Sequence, residues 1–252
     1  MSLARVENIS LSRGHRQLIR ELSFSLIPGQ ITVVLGPNGA GKSSLLLALA
    51  GLLPYDAGSI LLQGNPLDRM NRRQIAGLVA WQGDMPSVEF GLTVSQRLQL
   101  ARDHGLSKEE GNAMEETCAL LEIEHLLQRK LGDLSAGERQ RTELAATVVR
   151  ETPLWLLDEP VVHLDLKHQK IWFSLMRHYA RAGKAMLTVL HDVQQACTVA
   201  DEAILIFADG CTRFGSADAM LTAEILEELY QTPLSQFADA SGRKIIIPSY
   251  GD

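Results

Sequence analysis

The chain has 252 residues, of which 46% are hydrophobic and 21% charged, proportions that exclude disordered, collagen-like and low-complexity architectures. Lysine plus arginine number 24 against 30 aspartate plus glutamate, a net charge of −6, and no basic run offers a track for a phosphate backbone, which argues against a nucleic-acid partner. The length suits one domain with a lobe, and the absence of self-similarity sets aside solenoids and propellers.

Two strand-like stretches open the chain, residues 3–11 and 22–26, separated by a polar segment at 12–21 and closed by Pro28-Gly29, which predicts an antiparallel edge hairpin. A short apolar strand at Ile31–Leu35, a glycine loop and a helix over 41–53, ended by Pro54, form a strand, loop and helix unit. Strands are expected at 59–63 and 78–81. Residues 83–150 then read as a helical insert, with a capping box at Ser107 and Glu110 and with Met114, Cys118 and Leu121 at helical spacing. Strands return at 154–157, 186–190 and 203–207, separated by a helix over 165–181 that places Ile171, Leu175 and Tyr179 on one face. A turn at Asp209-Gly210, a helix over Ala223–Tyr230 and a strand at 244–247 finish the chain. Strand alternating with helix predicts an α/β fold with a largely parallel, doubly wound sheet. Cys118, Cys197 and Cys211 are odd in number and far apart, as expected in a reducing compartment. The opening MSLARVENIS has no leader pattern, and no window reaches the ~18–20 apolar residues of a membrane span. A cytoplasmic protein is therefore expected unless a partner tethers it.

Gly36-Pro37-Asn38-Gly39-Ala40-Gly41-Lys42-Ser43 matches G-x-x-x-x-G-K-[ST] between a strand and a helix. Its glycines let successive backbone N–H groups turn inward as an anion cradle, and the helix that follows adds its positive end. Lys42 would reach the β- and γ-phosphates and Ser43 would ligate Mg²⁺, with Ser44 completing the loop. The apolar stretch Leu154-Trp155-Leu156-Leu157 ends in Asp158 and Glu159, at the edge where open α/β sheets bind ligands. Asp158 can hold Mg²⁺ while Glu159 polarises the water that attacks the γ-phosphate. Ser135 and Glu138 form a capping box at a glycine-containing helix start, a second potential anion site that one nucleotide does not require.

The order of these motifs with Gln82, Leu134-Ser135-Ala136-Gly137-Glu138, Asp165 and His191 resembles the nucleotide-binding subunit of ABC transporters over nearly the whole chain. The resemblance implies a P-loop ATPase fold in one domain, 1–252, with 1–82 and 151–252 as a core bearing an antiparallel β part and 83–150 as a helical subdomain. It implies ATP and Mg²⁺, and a head-to-tail homodimer with each ATP between the phosphate loop of one subunit and Ser135, Gly137 and Glu138 of the other. Gln82 would contact Mg²⁺ and water, Asp165 would end the loop that crosses the interface, and His191 would stand beside the γ-phosphate. Three departures stand out. Ala136 and Glu138 replace residues of the usual L-S-G-G-Q; Val161-Val162-His163-Leu164-Asp165 lacks the usual hydroxyls; and Arg13 stands where an aromatic residue usually stacks on adenine, a role open to a guanidinium plane.

A soluble ABC ATPase acting on DNA or ribosomes is the rival to a transporter motor, but neither a second cassette nor a long coiled-coil insert is present. Importer and exporter share the hydrolytic motifs. The tail from Asp209 through Tyr230 to Pro248, with His163-Leu164-Asp165-Leu166-Lys167-His168-Gln169, is similar to ATPases of importers for vitamin B12, ferric siderophores and haem; an exporter ATPase or another metal importer is the alternative. The resemblance implies two permease subunits, an external substrate-binding protein reached only through them, and a peripheral position on the cytoplasmic face of the inner membrane. The stretch from Gly83 to Thr93, with Asp84, Met85, Val88, Glu89, Phe90 and Leu92, suits the gripping of a short permease helix.

Overall fold

The computed structural model describes residues 2–83, 91–103, 113–240 and 242–249. In chain order the elements are β1 (Ala4–Arg13), β2 (Arg16–Leu26), β3 (Ile31–Leu35), α1 (Lys42–Leu49), β4 (Ala57–Leu62), β5 (Asn65–Pro66), α2 (Arg72–Leu78) and β6 (Val79–Gln82). Then follow α3 (Val94–Asp103), α4 (Ala113–Leu120), α5 (Ala136–Val149), β7 (Leu154–Asp158), α6 (Leu166–Arg181), β8 (Ala185–Val189) and α7 (Val193–Val199). The last are β9 (Glu202–Ile206), β10 (Thr212–Ser216), α8 (Ala217–Met220), α9 (Ala223–Tyr230), β11 (Leu234–Ala238) and β12 (Lys244–Pro248).

The central sheet has the order β10-β9-β3-β8-β7-β6, parallel throughout except for β10. Its inner strands β3, β7 and β8 are largely apolar, buried runs because both faces are covered, as parallel sheets require. In β7, Trp155 and Leu157 face one core and Leu154 and Leu156 the other. On the first face, Trp172 of α6 stacks on Trp155 with ring centroids 6.0 Å apart and planes 10° from parallel, both fully buried. On the second, Leu45, Leu46 and Leu49 of α1 join Ile9, Ile19 and Leu26 of an antiparallel sheet ordered β2-β1-β4-β5. Each such leucine is worth ~1.5–3 kcal/mol in area removed from water, so α1 is clamped between two sheets and the loop before it is held at its far end.

Four local expectations are corrected. The polar stretch 12–21 is strand on both sides of a two-residue turn at Gly14 and His15; Leu18 and Ile19 are buried there, and register shifts in the β1–β2 pairing break the alternation. The helix after the glycine loop ends at Leu49, not at Leu53. Gly51 turns left-handed (φ 67), its N–H bonds Ala48 O at 3.0 Å, and the Leu52 N–H bonds Leu47 O at 2.9 Å, closing the end before Pro54 is reached. The inward face of α6 centres on Trp172, Leu175, Met176 and Ala180, leaving Ile171 and Tyr179 at its margins. And α2, absent from the sequence reading, buries only Ile75; its start is fixed by a capping box between Asn71 and Gln74. The capping box expected at Ser107 and Glu110, and Asp84, Met85, Val88, Glu89 and Phe90 of the expected docking stretch, lie outside the described residues.

Candidate functional site

The glycine loop leaves the carboxyl end of β3. A Cβ on Gly36 would fall 2.3 Å from the Ile206 carbonyl oxygen, and one on Gly41, at φ 108, would fall 2.8 Å from Leu18 Cβ, so neither position admits a side chain. The loop closes on itself through Ala40 N–H to Pro37 O at 3.2 Å, and the first N–H groups of α1 have no partner within the helix. Lys42 lies inside the loop, 6% exposed, with Nζ donating to Gly36 O at 2.8 Å and Pro37 O at 3.0 Å. Burial lowers its pKa, and the charges of Glu159 and Asp158 oppose that shift. Asn38 and Gly39 are exposed at the crown, Ser43 opens to solvent, and Ser44 is half-buried behind it. The Gly36 N–H donates to the Tyr230 hydroxyl oxygen, and burial pushes that phenol up to about 12.

β7 delivers Asp158 and Glu159 next to this loop. Glu159 adopts left-handed backbone, φ 52, with its N–H on Val189 O at 3.2 Å, an uncommon state for a non-glycine residue. It turns the carboxylate onto Nε2 of His191, which follows the neighbouring strand β8. Gln82 ends β6, on the other side of β7. It is 6% exposed; its Nε2 reaches Gly83 O at 3.4 Å, while its Oε1 is buried without a partner among the described residues. Ser43, Gln82, Asp158 and Glu159 converge, with Gln140, Val162 and His163, on a cleft of about 160 Å³. The donors from Ser43, Gln82 and Asp158 are all oxygens, and one of them is a buried amide oxygen lacking a partner, a set that suits a hard divalent cation such as Mg²⁺.

Gln140 did not stand out in the sequence. From α5, its Nε2 donates to Pro160 O at 2.6 Å, pinning the turn that follows Glu159. A Cβ on Gly137 would meet His163 O at 3.0 Å, so the first turn of α5 packs against the loop ending at Asp165.

The remaining expected residues lie outside that cleft. Ser135 caps α5: its Oγ accepts from Glu138 N–H at 3.3 Å, and Glu138 Oε2 accepts from Ser135 N–H at 2.8 Å. These bonds hold the Glu138 carboxyl below its ordinary pKa. Asp165 caps α6 by accepting from His168 N–H at 2.8 Å, and its carboxyl is likewise lowered. Arg13 is exposed at the turn end of the β1–β2 hairpin, opposite Arg16. Next to Gln82, Trp81 is half-buried; its indole N–H has no partner among the described residues, and it lines a groove of about 250 Å³ with Leu52, Arg72 and Arg150.

Residues 19–162 match the family profile described as ABC transporter. Over 235 residues the chain is 34% identical to the hemin import ATP-binding protein HmuV of Pseudomonas putida, covering 90% of this chain and 92% of that protein. Over 237 residues it is 33% identical to the probable siderophore transport system ATP-binding protein YusV of Bacillus subtilis, covering 91% and 86%. Among solved structures, a putative metal-chelate type ABC transporter in an inward-facing conformation superposes with a TM-score of 0.82 at 26% identity, over 99% of this chain and 98% of that one.

Proposed function

The chain belongs to the ABC transporter family as one of its ATPases, and from that premise we propose that it drives an importer of haem, a ferric siderophore or vitamin B12. The ATPase part of this reading is carried by the Glu159 carboxylate, in contact with His191 at the head of the cleft that Ser43, Gln82 and Asp158 also line; its importer part is supported by the likeness to hemin and siderophore import ATP-binding proteins. In the proposed reaction the residues from Gly36 to Ser44 cradle the phosphates and Lys42 leaves its loop carbonyls to bind the γ-phosphate. Ser43, Gln82 and Asp158 would hold Mg²⁺, which would supply positive charge against the phosphates. Glu159 accepts the proton of the attacking water, and His191 fixes the carboxylate that does so. Each ATP is completed in trans by Ser135, Gly137 and Glu138 of a second copy, with Asp165 at the crossing. The 83–150 subdomain thereby moves against the core within a single 1–252 domain.

Two permease subunits carry the cargo, fed by an external binding protein, and hold this chain at the cytoplasmic face of the membrane; no helix among the described residues is long and apolar enough to cross one. The groove lined by Trp81, Leu52 and Arg150 lies beside Gly83 and offers further surface to a permease helix. The test is reconstitution of the complex with its permease and binding protein in liposomes. Haem, a ferric siderophore or cobalamin should accelerate phosphate release and enter the vesicles in an ATP-dependent manner. Uptake of none of the three, with ATP hydrolysis intact, would overturn the importer assignment.

A further inference from the structure

The β1–β2 hairpin closes on a two-residue turn with Gly14 at φ 61, and its last cross-strand pair is Arg13 with Arg16. Residues directly opposite in an antiparallel pair send their side chains to the same face, where like charges repel. Among the described residues no ion pair neutralises either arginine. Arg16 is exposed, and its Nη2 donates to Ala208 O at 3.4 Å. The turn that carries Ala208 is itself docked on β2. Arg20 N–H donates to Gly210 O at 3.0 Å, and a Cβ on Gly210 would fall 3.3 Å from Gln17 O. So tethered, the guanidinium overhangs the crown of the phosphate loop: Nη1 lies 3.8 Å from where a Cβ on Gly39 would sit. Two guanidinium groups and the Lys42 ammonium are thus gathered at one edge of a protein whose net charge is −6. Such crowding costs stability until an anion arrives.

We propose that Arg16 binds the phosphates of the nucleotide directly, from outside the loop, as a second cation opposite Lys42. This rests on the reading of the loop from Gly36 to Ser44 as the nucleotide-phosphate cradle. Recognition then leans on phosphate charge, through a fork that can bridge two phosphate oxygens.

The experiment titrates ATP, ADP and adenosine into parent, Arg16→Ala, Arg16→Lys and Lys42→Ala proteins at low and high salt. Arg16→Ala should weaken ATP and ADP binding about tenfold, the scale of one exposed charge-assisted hydrogen bond, and should flatten the salt dependence of both. Arg16→Lys should recover part of the affinity, because it keeps the charge and loses the fork. The unfolding temperature of Arg16→Ala without nucleotide should equal or exceed that of the parent, since a like-charge pair has been removed, and this separates lost binding from lost folding. Unchanged ATP affinity in Arg16→Ala beside a defective Lys42→Ala would overturn the role of Arg16 alone. An equal loss for adenosine, which has no phosphate, would also overturn it. A parent protein that binds neither ATP nor ADP would remove the nucleotide reading itself.

Discussion

Glu159 is the residue at which stability and chemistry pull apart. Its left-handed backbone, φ 52, costs on the order of 1–2 kcal/mol for a residue with a Cβ, and the cost is retained because that conformation aims the carboxylate at His191 and the cleft. Glu159→Gly should therefore raise the unfolding temperature by a few degrees while abolishing turnover. Glu159→Gln keeps the shape and the strain but lacks the base, so phosphate release should fall ~10²–10⁴-fold with ATP affinity preserved. Calorimetry beside single-turnover kinetics on the two variants reads both effects. A Glu159→Gln protein hydrolysing at the parent rate would take Glu159 out of the reaction. The placement of Glu159 at the cleft was legible from two carboxylates ending an apolar run. Its backbone state was not, because φ at that corner is set by the bond from its N–H to Val189 on the next strand.

At the scale of elements, α5 ties the helical insert to the chemistry. Its capping box lowers the Glu138 pKa, so the carboxylate's stabilising contribution is fully present above the ordinary value of 4.5 and is lost as pH falls through the depressed value. Thermal unfolding between pH 3 and 6 should lose part of its pH dependence in Glu138→Gln, which still caps but does not titrate; an identical pH profile would exclude the box as its source. One turn further on, Gln140→Leu would strand the buried Pro160 carbonyl at a cost of ~1–3 kcal/mol. It should also slow phosphate release more than it weakens ATP binding, since the turn it releases carries Glu159; equal losses in the two measurements would argue against that linkage. The box could be read from Ser135 and Glu138 because capping is local in sequence. The Gln140 bond spans 20 residues and lies beyond any periodicity. The same distinction explains α2, whose single buried residue leaves no stripe, and the closing of α1 at Gly51, where backbone bonds rather than Pro54 decide the end.

For the whole molecule, the site within one chain is half of what the proposed cycle needs, because in that cycle Ser135 of one copy completes the ATP that Lys42 of another holds. ATP with Mg²⁺ should drive Glu159→Gln protein into a dimer on size-exclusion chromatography, whereas Lys42→Ala and Ser135→Arg should each stay monomeric. Mixing those two variants restores one intact composite site per pair and should recover part of the dimer; no recovery would mean that the sites are not shared. The parallel sheet and the order of motifs were legible because β3, β7 and β8 are short apolar runs that lead into the glycine loop, Glu159 and His191, and β6 ends in Gln82. The crowding of Arg13 and Arg16 was not, since it depends on a hairpin register interrupted by shifts. The placement of the three tryptophans has an optical consequence. Trp155 and Trp172 are stacked and sealed in the core, where their fluorescence is insulated from events at the surface. Trp81, half-buried beside Gln82 in the groove proposed to face a permease, is left as an intrinsic emitter whose colour and intensity should follow nucleotide binding and permease docking, so that the unlabelled protein would report its own cycle and Trp81→Phe should silence the signal.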